Sequence, residues 1–177
     1  MFGLGKTKIP LNDLADILAK IVLLPLEEPS EQDLIFRKQA AQVGVVQERF
    51  IFEIIAIQNF TIGAAINRER LEGRMTIETA TALIKQVLLA IHRRLGESHA
   101  LLQLGLGPEE AIDLLIKRAE RYSEPTWGKG SIKDIRKFFA EFCGYPQSDV
   151  LERIGWSLTQ IRGDEMGEFL RRKIKIV

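Results

Sequence analysis

An all-α fold is predicted by three observations. Apolar residues recur at helical spacing along most of the 177 residues, helix-starting and helix-stopping residues fall where that spacing begins and ends, and the stretch from Glu31 to Glu72 contains no proline. One helix over that stretch would span roughly 60 Å at about 1.5 Å per residue. It is therefore expected to be the axis of the molecule, with antiparallel helices along its flanks and a C-terminal group of short helices.

The first flanking helix is expected from Leu11 to Leu24, with Asn12 as its cap and Asp13 and Asp16 near its positive end. Leu14, Ile17, Leu18 and Ile21 share one face, and Pro25 ends the helix. Ser30 and Asp33 then have capping-box spacing, in which the hydroxyl accepts from a backbone N–H and the carboxylate reaches back. The long helix starts there and stops at Gly73, which can take the left-handed backbone conformation that closes a helix.

Within the long helix Phe36, Ala40, Val43, Gln47, Phe50, Ile54, Ile57, Thr61 and Ala64 recur at alternating steps of four and three, which predicts one continuous seam. Further isoleucines and phenylalanines make Phe50 to Ile66 apolar on most sides, and such a helix must be surrounded. Gly44 and Gly63 each cost about 1 kcal/mol relative to alanine inside a helix, so each marks a kink or a close neighbour.

A third helix starts at Thr76 and carries Ile77, Ala80, Leu83, Ile84, Val87, Leu88 and Ile91 on its buried side. The short loop before it requires an antiparallel return. Lengths then place the first and third helices end to end along the long one. After Leu104-Gly105-Leu106-Gly107 the pattern shifts to shorter helices: one from Pro108 to about Tyr122, one opened by Ser131 and Asp134, and one capped by Ser148, with Gly163 dividing it from a last segment. The expected organisation is a long-helix bundle over 1–104 with a small helical subdomain over 105–177 packed on it.

Lys and Arg total 25 against 24 Asp and Glu, so no global field draws nucleic acid or anionic lipid to the chain. A single cysteine, Cys143, excludes an internal disulfide and a cysteine-rich zinc site and suits a reducing compartment. The apolar segment after Met1 to Pro10 is broken by Asp13, Asp16 and Lys20, which is not a signal-peptide core. The longest uncharged run, Ile54 to Asn67, falls short of a membrane span. A cytoplasmic protein with no membrane span is expected.

No catalytic constellation stands out. Gly3-Leu4-Gly5-Lys6-Thr7 ends like a phosphate loop but lacks the earlier glycine and the strand that would feed it. His92 and His99 have no Glu-x-x-His partner motif, so no metal or cofactor is expected. Cys143 reads as a packed thiol, and Arg162-Gly163-Asp164 as chance. Residues Ser131 to Arg162 have a helix-turn-helix outline, but Asp149 and Glu152 stand where a DNA reader would meet phosphates.

Two surface features are more specific. Tyr122 and Trp127 mark an expected loop with Pro125 and two glycines, which reads first as packed on the body and second as a contact surface. Arg171, Arg172, Lys173 and Lys175 form a basic tail without an acid, which reads first as a solvated helix end and second as a site for an acidic partner, RNA or a membrane surface. The leading functional expectation is a non-catalytic interaction protein that self-associates, most simply as a homodimer, through Phe36, Val43, Phe50, Ile54, Ile57 and Phe60. The rival is a helical bundle that holds a small apolar or lipid-like ligand, with Gly44, Gln47, Thr61 and Gly63 shaping the pocket. Nucleic-acid binding through the C-terminal helices ranks third.

Overall fold

Gly44 divides the stretch expected to be one rod. The structure, a computed structural model, describes residues 7–97, 105–127, 132–172 and 174–176. Its helices are α1 (Leu11–Glu27), α2 (Glu31–Gln42), α3 (Gln47–Leu71), α4 (Ile77–Glu97), α5 (Pro108–Trp127), α6 (Ile132–Phe142) and α7 (Asp149–Arg172), with short strands β1 (Thr7–Ile9) and β2 (Ile174–Ile176). The all-α expectation holds, and α3 is the long central helix. Its length, however, is 25 residues rather than the expected forty or so.

The break has a clear local cause. The Val45 N–H bonds back to the Ala40 carbonyl at 3.1 Å and the Gly44 N–H to Ala41 at 3.0 Å, while Gly44 takes φ +90°. This is the glycine-dependent motif that closes helices. It recurs at the ends of α3 and α6, where Gly73 and Gly144 take φ +71° and +91°. Tyr145 then pins the break by donating its hydroxyl to the Gly44 carbonyl at 2.7 Å. The heptad seam is consequently interrupted: Phe36 and Ala40 lie before the turn, and Phe50, Ile54 and Ile57 after it.

Helix α3 is sheathed by its own chain. It packs chiefly against α7, α5 and α1, with lesser contacts to α2, α4 and α6. By length and composition it could cross a membrane, yet 78% of its most apolar window is buried among these neighbours. That burial is what the core helix of a bundle shows. One hydrophobic cluster runs from Leu14 to Leu170, so the helices after Gly105 share the core of those before it.

Helices α1 and α4 lie side by side, correcting the end-to-end placement. The buried face of α1 is wide, comprising Leu14, Ala15, Leu18, Ala19, Val22 and Leu23, which is enough to meet α3 and α4 together. Asp16 on its outer side pairs with Arg93 of α4. The helix starts at Pro10 without a side-chain cap, not at Asn12, and continues through Pro25 to Glu27. Proline is tolerated there because its missing N–H removes only the bond to the Ile21 carbonyl. In the amide orientation that turns its nitrogen toward α1, Gln58 of α3 donates to that carbonyl and to that of Val22, each at 3.1 Å.

Ser30 forms the expected capping box with Asp33, and Thr76 caps α4 through a 3.2 Å bond from the Thr79 N–H. Ser131 lies outside the described residues. Ser148 accepts from the Leu151 N–H at 3.4 Å at the start of α7. Gly163 does not divide that helix, which runs unbroken to Arg172. Helices α6 and α7 form a tight hairpin at Gly155, where an added Cβ would stand 2.9 Å from the Phe139 Cβ. The two strands pair in parallel, Thr7 with Ile174 and Ile9 with Ile176.

Candidate functional site

Among the described residues an apolar groove opens between the C-terminal half of α3, the middle of α4 and the middle of α5. Its volume is about 600 Å³, within the range of small-molecule sites. From α3 come Phe60, Gly63, Ala64, Asn67 and Leu71; from α4, Ile84, Val87 and Leu88; from α5, Ile116, Ala119 and Ser123. These residues recur at steps of three and four on each helix, so three faces converge on one space.

The sequence predicted more burial here than the chain supplies. Ile84 and Leu88 were expected on the covered side of α4, but Ile84 stays exposed, as do Leu71 and Ile116 across the groove. Each helix buries one edge of its apolar stripe in the core and turns the other to this space. Gly63 forms part of the floor, and beyond its own helical turn no atom of the described residues lies within 4 Å of where its Cβ would stand. The glycine is therefore not explained by a close neighbour. It leaves room.

Polar groups sit around the groove rather than across it. The Arg70 Nε donates to the Asn67 side chain at 2.8 Å, and the Ser123 hydroxyl to the Glu120 backbone carbonyl at 2.6 Å. Glu120 and Arg68 add one charge of each sign to the lining.

Behind Phe60 lies a sealed polar cluster. Phe60 touches the Tyr122 ring, with centroids 5.6 Å apart, and Tyr122 meets Phe142 edge-on. Arg118 stacks over Phe142 at 3.9 Å and clamps both oxygens of Glu53 at 3.0 to 3.1 Å. Burial pushes the Glu53 carboxyl up to about 7, against the opposing pull of Arg118 and the smaller one of Arg49. Taking this carboxylate out of water costs more than its arginine returns. Burial, with Glu53 nearby, also raises the Tyr122 hydroxyl and the Cys143 thiol well above their usual ranges.

A carboxyl near 7 is suited to proton transfer, but Glu53, Tyr122 and Cys143 are each at most 1% exposed. No substrate reaches them in this arrangement. Cys143, protonated and enclosed, is a poor nucleophile. Among the described residues no three His, Cys, Asp or Glu side chains gather as a metal site. His92 is exposed, and His99 lies outside the described residues.

The residues singled out in the sequence are dispersed. Phe50, Ile54, Ile57 and Phe60 are core side chains of the single chain, as is Phe36, while Val43 is half-buried at the helix break. They form no exposed seam. Of these six, only Phe60 borders the groove. Phe36 and Val43 instead line a recess of about 460 Å³ against α7, shared with Arg153 and Ser157. Of the residues expected to shape a pocket, Gly63 does so, Thr61 lines a smaller recess of about 190 Å³, Gly44 makes the break, and Gln47 is exposed at the start of α3.

The expected contact loop is helical. Helix α5 continues to Trp127 with Pro125 in its last turn, and Tyr122 is fully buried rather than offered to a partner. The side chain of Trp127 lies outside the described residues. The basic tail is divided between α7, which holds Arg171 and Arg172, and β2, which holds Lys175; Lys173 is outside the described residues. In the former helix-turn-helix outline, Glu152 ties down Arg136 at 3.2 Å. The groove itself was missed as a unit, although the surplus apolar residues of α4 were its signal.

Neither a family model, nor a curated protein, nor a solved structure matches this chain.

Proposed function

We propose that this protein is a non-catalytic binding protein whose α3–α4–α5 groove holds a small apolar or lipid-like ligand. The observation that carries this reading is the groove: about 600 Å³, walled by aliphatic side chains, with Gly63 open on its floor. Covering exposed Leu71, Ile84 and Ile116 removes apolar area from water at about 25 cal/mol per Å². A ligand that fits three converging walls gains on each.

Self-association through Phe36, Val43, Phe50, Ile54, Ile57 and Phe60 has less support, because the fold uses most of these side chains in its own core. A cytoplasmic setting accords with the single enclosed thiol.

The test is a fluorescence titration with N-phenylnaphthylamine, a neutral apolar probe that brightens out of water. Saturable binding is expected for the native sequence. Gly63→Leu fills the floor and should weaken it by about tenfold or more, since lost packing of ~1.4 kcal/mol already gives that factor. No saturable binding, or equal binding by a folded Gly63→Leu variant, contradicts the reading. Concentration-dependent dimerisation without probe binding returns the argument to self-association.

A further inference from the structure

The groove is not electrically symmetric. Arg68 lines it from the last turns of α3, and its side chain extends toward α7. There its Nη1 stands 4.0 Å from where a Cβ on Gly167 would lie. Arg171, one helical turn beyond Gly167, folds back over the same point, with Nη2 at 3.3 Å and Cζ at 3.7 Å. Two guanidinium groups from different helices thus converge where a buried glycine gives them space.

Neither guanidinium forms an ion pair or side-chain hydrogen bond among the described residues, whereas Arg70, Arg74, Arg93, Arg118 and Arg136 all have partners. The negative ends of the α3 and α7 dipoles favour a positive charge here and account for part of the arrangement. They do not account for two like charges from different helices brought to one glycine, Gly167, with neither paired to the α7 acids Glu165 and Glu168 beside it. The remaining acid of the groove, Glu120, belongs to the α5 wall. An amphiphile lying in the groove therefore meets attraction for an anionic head where Arg68 leaves the lining toward Arg171, and repulsion at the α5 wall.

From this juxtaposition we infer that the ligand is a single-chain aliphatic carboxylate, its chain between α3, α4 and α5 and its head between Arg68 and Arg171. Guanidinium groups suit this head because their planar donors match both carboxylate oxygens. The inference rests on the proposed ligand-binding function of the groove and adds the sign and position of the head.

The experiment compares decanoate with decanol, which share a chain and differ in the charged head, by isothermal titration on the native sequence and on the Arg68→Gln/Arg171→Gln double variant. The native protein is expected to bind decanoate about tenfold more tightly than decanol, the gain typical of a charge-assisted hydrogen bond. The double variant should bind decanol unchanged and lose the preference, and added salt should reduce it in the native protein. Equal affinity for the two ligands in the native protein, or a preference that survives the double variant, overturns the inference while leaving the groove reading intact. Binding of neither overturns both.

Discussion

With its amide turned so that the nitrogen faces α1, Gln58 of α3 donates to the Ile21 carbonyl at 3.1 Å, and Ile21 is the residue of α1 whose helical hydrogen bond Pro25 cannot supply. A polar residue inside an apolar helix is explained by a defect in its neighbour. Buried carbonyls need a partner, and here the partner comes from 33 to 37 residues away along the chain, counting from Gln58 back to Pro25 and Ile21.

Replacing Gln58 with leucine should therefore cost about 1–3 kcal/mol, the penalty of an unsatisfied buried group. In a Pro25→Ala background the new N–H can close on Ile21, so the same replacement should cost less. Urea denaturation of the four proteins of this cycle measures the coupling; strictly additive effects would show that the two residues are independent.

Glu53 gives the protein a specific pH dependence. Its carboxyl is raised from 4.5 to about 7 in the folded state, so between those values the folded protein holds a proton that the unfolded chain has released. The group's contribution is greatest below about pH 4.5 and is lost as pH rises through 7, by about 3 kcal/mol at most. The difference in unfolding free energy between the native protein and Glu53→Gln, followed from pH 4.5 to 8, should fall accordingly. A difference that grows with pH over this range would mean that Arg118 wins and the carboxyl is lowered.

Tyr122 should tolerate loss of its hydroxyl better than loss of its ring. The hydroxyl is buried and has no hydrogen-bond partner among the described residues, so Tyr122→Phe is expected to be neutral or to stabilise by about 1 kcal/mol. Tyr122→Ala removes the contacts with Phe60 and Phe142 and should cost about 3–5 kcal/mol. Thermal unfolding of both variants checks this, and marked destabilisation by Tyr122→Phe would reveal a partner for the hydroxyl.

Two helical glycines should respond in opposite directions to alanine. At Gly63 the added methyl meets nothing within 4 Å, so the gain in helix propensity, about 1 kcal/mol, appears as stability. At Gly155 it would lie 2.9 Å from the Phe139 Cβ, and forcing α6 from α7 should cost about 1–3 kcal/mol net. Denaturation midpoints that move in the same direction would contradict the packing described for one of them.

The fold class and the central place of Phe50 to Ile66 were legible in the sequence because helical spacing and all-round apolarity depend on composition along one segment. The break at Gly44 was not, since the same glycine suits a kink, a close neighbour or a stop, and the Tyr145 hydroxyl that pins it lies 101 residues away. Pro25 marks a helix end in the sequence and Pro125 falls in the expected contact loop, yet a proline in a last turn removes a single hydrogen bond and the helix passes through it. The groove was half legible. Ile84 and Leu88 marked an apolar stripe on α4, but whether the chain covers such a stripe depends on where α5 comes to lie, which local pattern does not specify. The pairing of Arg68 with Arg171 across Gly167 likewise exists only once α3 and α7 are packed together.

Amide chemical-shift mapping by NMR during titration with decanoate tests the binding groove most directly. Saturable changes confined to 59–71, 84–88 and 116–123, with Arg171 at the edge, are the predicted result. Absence of saturable change, or changes centred on the recess between α2 and α7 that Phe36 and Arg153 line, would contradict it.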